Sequence, residues 1–166
     1  MLLVGAGCSV SAGIPAAGGV VAEVQRDHPR AYTQAEERSY PQVMAQLSPA
    51  ERRDLLARFI DDASVNWAHV CVAQLMKEGY VDRILTTNFD PLIIRACAML
   101  GLFPAVYDFA ASQRFSTADI PDQAAVFLHG QRSGFVLLNT AEEVKQHAEL
   151  LRPVFDEAGQ GAGLRE

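Results

Sequence analysis

Hydrophobic positions fall into short unbroken runs separated by longer stretches with helical spacing, the pattern of strands interleaved with helices. The runs at 2–4, 82–87, 105–107, 125–129 and 135–138 predict strands. Residues 18–27 predict a helix. Ser48, Pro49 and Glu51 make a capping box with proline at the first helical position, and Leu55, Leu56, Phe59 and Ile60 share one face, which predicts a helix over 49–63. Asn66 is placed to cap another helix that ends at Gly79, with Trp67, Val70, Cys71 and Leu75 as its core stripe. Residues 91–100 predict a helix, and Thr140 with Glu143 makes a second capping box for a helix to about 157. The polar, proline-bounded stretch 28–41 predicts a loop, 109–122 is irregular, and 159–166 is a glycine-rich tail. The alternation is that of an α/β protein with a parallel sheet and a helical insertion at about 40–79.

Three of the strands lead into residues that carry chemistry. The first opens directly into GAGCSVSAGIP at 5–15, where Gly5 and Gly7 let backbone amides approach an anion. A helix beginning near Ser9 or Ser11, with Ser9 as its cap, would aim further amides at the same anion. The second ends in TTNFD, placing Thr86, Thr87, Asn88 and Asp90 at a strand's carboxyl end. The third ends on His129 and Gly130. Ligands of open parallel sheets sit beyond the carboxyl ends of the strands, so these three segments are expected to share one site. Each also has a structural use: Asn88 and Asp90 can cap the helix near Pro91, and His129 can be a core histidine.

In their order and spacing GAGCSVSAGIP, TTNFD and LHG resemble the motifs of the sirtuin family, over roughly residues 1–140. The resemblance implies a Rossmann-like three-layer fold that binds NAD. It implies that Gly5, Ala6, Gly7 and Ser9 hold the phosphates and ribose, and that Ile14 and Pro15 border the nicotinamide pocket. Thr87 and the backbone at Phe89 would also contact NAD, Asn88 would order the ribose and the attacking water, Asp90 would bind the carboxamide, and His129 would be the general base. Asn88 and His129 are the implied catalytic pair.

Departures from the family direct the expected activity. Where deacylating sirtuins follow GIP with an aromatic residue and an arginine, this chain has Ala16, Ala17, Gly18 and Gly19. Cys8, Cys71 and Cys97 have no metal-ligand spacing, so no zinc ribbon is expected. The TTNFD variant, the missing zinc module and the long helical insertion between 40 and 79 are similar to bacterial antiphage-defence domains, in which NAD+ is the substrate and is hydrolysed to nicotinamide and ADP-ribose. Two alternatives stay open: an NAD-dependent protein deacylase, and a non-catalytic NAD- or ADP-ribose-binding module or inactive fragment. The family continues past the last helix into further strands, so the fold is expected to lack its last strands, with the NAD-binding domain at 1–158 and a flexible tail at 159–166.

Composition narrows the partners. The net charge of −6 without a Lys/Arg cluster argues against a nucleic-acid surface. No apolar stretch is long enough for a bilayer, no secretory leader is visible, and the three cysteines suit a reducing compartment, so a cytoplasmic protein without membrane contact is expected. A homo-oligomer or a defence-system partner domain is the expected protein company. Cys8 is read as a small buried filler rather than a reactive thiol, and His28, His69 and His147 show no ligand spacing.

Overall fold

A computed structural model describes residues 1–110, 120, 122–131, 138–145, 147–148 and 152. Four strands form one sheet: β1 (Leu2–Val4), β2 (Arg83–Thr86), β3 (Ala105–Asp108) and β4 (Ala124–Phe127). Their order is β1-β2-β4-β3 and every pairing is parallel. The register sets Val4 beside Thr86 and Thr86 beside Phe127, so the three chemistry-bearing segments leave the sheet from one edge. Composition follows position in the sheet. Interior β4 is buried along its whole length, as a strand covered on both faces must be. The outer strands β1 and β3 instead leave Leu3 and Val106 exposed.

Helices flank this sheet. The helix α1 (Ala17–Asp27) is followed by α2 (Pro29–Gln34), α3 (Tyr40–Ala45), α4 (Pro49–Asp62), α5 (Trp67–Lys77) and, after β2, α6 (Leu92–Met99). One face of the sheet packs Ile84 and Val4 against Ala73 and Met76 of α5 and Ile93, Ala96 and Cys97 of α6. A separate cluster joins α1 to α4 around Val24, Val43, Met44, Leu55 and Leu56. Ile60, Leu92, Ile14 and the half-buried Phe89 then fasten this helical unit to the strand ends. Full burial of each such aliphatic side chain contributes about 1.5–3 kcal/mol, which fixes the insertion against the carboxyl edge of the sheet. The α/β, Rossmann-like class and the helical insertion agree with the expectation. No helix among the described residues is long and apolar enough to cross a membrane.

Three local expectations are corrected. The stretch 28–41, read as a loop, contains α2 and the start of α3: Pro29 and Pro41 sit in first turns, where proline costs no hydrogen bond, and Ala31, Ala35 and Val43 are buried. Of the stripe expected to face the core from α5, Val70 is half-buried and the other three members face outward. Trp67 is 82% exposed and Cys71 and Leu75 are also exposed, while His69, Ala73 and Met76 are buried. The phase of that helix is set by a polar contact of His69, described below, and small Ala73 permits close approach to the sheet. Finally, Ser9 caps no helix: Ala6–Ala12 is a 3-10 turn whose cap position is Gly5, and Ser9 lies inside it.

Both capping boxes form. Glu51 N–H donates to Ser48 Oγ and Ser48 N–H donates to Glu51 Oε2 at the head of α4. Thr140 and Glu143 exchange the same pair of bonds, and residues 141–145 are helical. Arg52 and Tyr40 tie that segment to the helical insertion, through Glu143 at 2.8 Å and Asn139 at 2.9 Å. The strand expected at 135–138, apart from Leu138, most of 109–122, the later part of the helix after Thr140 and the tail at 159–166 lie outside the described residues.

Candidate active site

The site is built where β1 and β2 end. After Val4 the chain enters the 3-10 turn at Gly5, which is in extended conformation, and leaves it at Gly13, where φ is +101°. Gly13 is thus the residue whose backbone requires glycine. Gly5 and Gly7 have no positive φ. Gly7 faces open space, with nothing within 4 Å of where a Cβ would stand, and a Cβ on Gly5 would lie 3.6 Å from Thr87 Oγ1. Ala6 and Gly7 are exposed. The glycines here serve to keep the turn's outer surface low.

Inside the turn, Ser9 is 1% exposed and its hydroxyl is the hub of a buried network. Ser9 Oγ–H donates to Asp90 Oδ2 at 2.9 Å. Asn88 Nδ2 donates to Ser9 Oγ at 3.1 Å, and His69 Nε2 lies 3.2 Å from the same oxygen. Asp90 Oδ1 accepts the Leu92 amide at the start of α6, so this carboxylate both holds Ser9 and starts a helix. The Asn88 amide donates to Thr86 Oγ1, which sets the bend after β2. From α5, Asn66 Nδ2 donates to Cys8 O and to Ser11 Oγ, both at 2.8 Å, strapping the turn down from the other side. Such satisfied buried polar groups fix a conformation because every alternative leaves a partner bare.

The expected residues fall into three groups. Ser9, Asn88 and Asp90 are brought into direct contact although 79 and 81 positions separate them. Thr87 is at the same edge, its amide bonded to Val4 O. His129 lies two residues beyond the end of β4; the Leu128 amide bonds to Thr86 O and the Leu138 amide to His129 O, which puts His129 past the end of the strand beside β2 and outside the hydrogen bonds of the Ser9 network. Ile14 and Phe89 pack in the apolar junction, and Pro15 lies half-buried against the start of α1.

The electrostatics suit a neutral imidazole and an unreactive thiol. Burial lowers the His129 pKa below its ordinary 6.5, and burial lowers that of His69 against the opposing pull of Asp90. Cys8 is pushed up by burial and then by Asp90, which suits a packing role. Asn88 is 6% exposed, and its Oδ1 is buried with no hydrogen-bond partner among the described residues. An unpaired buried acceptor costs about 1–3 kcal/mol, a cost that a donor on a bound molecule would offset.

His69 is the member of the network that the residue pattern did not single out. Its local signal was the Asn66-x-x-His69 spacing: His69 N–H donates to Asn66 Oδ1, while Asn66 N–H donates to His69 Nδ1, a capping box with histidine in the usual place of glutamate. Its partner across 60 positions, Ser9, is set by tertiary packing alone.

Fold and site together define a parallel α/β domain with a buried polar cluster at its strand carboxyl ends. No protein-family model matches the chain, and no curated protein matches it.

Proposed function

We propose that this chain is a sirtuin-like NAD-binding domain that hydrolyses NAD+ to nicotinamide and ADP-ribose, a reaction suited to antiphage defence in a bacterial cell. The observation that carries the reading is the convergence of Ser9, Asn88 and Asp90 in one buried network where two parallel strands end, with His129 at the end of the next strand. The orphaned Asn88 Oδ1 and the open space beside Gly7 both fit a polar, phosphate-bearing molecule laid across the strand ends.

In this reading the backbone amides of Gly5 to Gly7 face the diphosphate. Asn88 Oδ1 accepts from a ribose hydroxyl or from the attacking water, holding it against the face of C1′. Asp90, with the backbone at Phe89, marks the nicotinamide side. His129 accepts a proton; burial keeps it neutral near pH 7, the state a base requires. Cleavage of the glycosidic bond develops positive charge at C1′, and fixed dipoles around it lower the barrier.

Binding tests this reading directly. NAD+ and ADP-ribose should raise the melting temperature of the full chain, by an amount that grows with the logarithm of ligand concentration, and Asn88→Ala should weaken the effect. Equal melting curves with and without saturating dinucleotide would reject it. Release of O-acyl-ADP-ribose from an acyl-lysine peptide would move the assignment to a deacylase.

A further inference from the structure

The buried network has a direction, and each link dictates the next. Asn66 N–H donates to His69 Nδ1 at 3.2 Å, so the ring carries its proton on Nε2. That Nε2–H therefore donates to Ser9 Oγ, 3.2 Å away. A hydroxyl has one proton to give, and Ser9 gives it to the Asp90 carboxylate, which only accepts. The remaining lone pair of Ser9 can take only a donor, so Asn88 turns its Nδ2 toward it. The Asn88 Oδ1 is thereby left as the unpartnered end of the chain.

We propose that Asp90 sets this polarity and that His69 is a positioning residue that holds Ser9 in it, so that Asn88 presents a carbonyl acceptor and the site takes a hydrogen-bond donor there: a hydroxyl or a water, not a carbonyl or phosphate oxygen. The proposal rests on the NAD+ reading only for the identity of the molecule that carries the donor. His69 is fully buried, so it acts through Ser9 and not by contact with a ligand. Without the Nε2–H, Ser9 Oγ loses one of the three partners that fix its place, and Asn88 loses the rigid acceptor that holds its Nδ2. The geometry thus makes a histidine on α5 a determinant of which chemical groups bind at the end of β2.

Nitrogen-15 NMR of the full-length chain tests this. Wild type is expected to show His69 with a bare Nδ1 and a protonated Nε2, and Asn88 with one set of slowly exchanging side-chain amide signals. His69→Gln keeps an N–H donor near the position of Nε2 and should preserve the Asn88 signals. His69→Met fills the space without a donor and should shift or broaden them. With NAD+ as the probe, His69→Met should lower kcat by about tenfold or more with little change in KM, and His69→Gln should recover most of it. A proton on Nδ1 in wild type overturns the proposal whether or not the variants fold. So do Asn88 signals unchanged in His69→Met. His69-dependent Asn88 signals in a wild type that leaves NAD+ intact would support the positioning role and reject the NAD+ reading.

Discussion

Replacing Ser9 with alanine removes one oxygen and strands three buried partners. The Asp90 carboxylate loses a donor at 2.9 Å, and Asn88 Nδ2 and His69 Nε2 each lose an acceptor. A hydrogen bond to a charged group contributes about 1.5–3 kcal/mol, and a buried donor left bare costs about 1–3 kcal/mol. The low ends alone come to about 3.5 kcal/mol, and relaxation of Asn88 together with water entering the small void reduces this to about 3 kcal/mol. That is a large share of the roughly 5–15 kcal/mol that holds an ordinary domain together. With a urea slope of about 2 kcal/mol per molar, the unfolding midpoint of Ser9→Ala should fall by about 1.5 M. Ser11→Ala is the control, because its hydroxyl is exposed and accepts one bond from Asn66, and it should cost about 0.5 kcal/mol. Equal midpoints for Ser9→Ala and Ser11→Ala would refute the idea that the hub holds the turn, α5 and the end of β2 together.

Further expectations come from other parts of the molecule. A Cβ on Gly19 would stand 2.7 Å from Pro15 Cβ, so Gly19→Ala should destabilise by about 1–3 kcal/mol before a helix-propensity gain of at most about 1 kcal/mol. At Gly18 a Cβ meets nothing, and Gly18→Ala should stabilise by up to about 1 kcal/mol; thermal melts moving in the same direction would contradict the pair. Burial pushes the Tyr40 phenol up to about 12 from an ordinary 10. Its neutral form is the one the fold prefers, so the stability it contributes is present below pH 10 and is lost as pH rises through about 12. Phenolate absorbance should show one late-titrating tyrosine, absent in Tyr40→Phe. For His69 and His129 the folded pKa is lowered, so their contribution is intact above 6.5 and is lost as pH falls below that value. Urea midpoints measured down to about pH 5 should decline more steeply in wild type than in His69→Gln.

Most of the scaffold was legible because its signals are local. Apolar runs marked β1, β2, β3 and β4, and the Ser48–Glu51 and Thr140–Glu143 spacings marked helix starts that do form. The three segments that end at one sheet edge were legible as well, since a parallel sheet leaves few places for polar strand ends to go. What escaped were choices made by packing. Trp67, Cys71 and Leu75 are more hydrophobic than His69, yet α5 turns His69 inward, because Ser9 satisfies its ring and Ala73 is small enough to approach the sheet. Ser9 has the chemistry of a cap but is drawn into the interior by Asp90 and Asn88. Pro29 and Pro41 signal breaks in a one-dimensional reading and helix first turns in three dimensions.

The claim that this edge of the sheet is a catalytic NAD+ site is tested most directly by separating the products formed from NAD+ by the purified full chain. Asn88→Ala and His129→Ala, each confirmed to melt cooperatively, would be run beside wild type. Equimolar nicotinamide and ADP-ribose from wild type, and neither from the two variants, is the predicted result. Product release that survives both substitutions, or intact NAD+ in the presence of folded wild type, would contradict it.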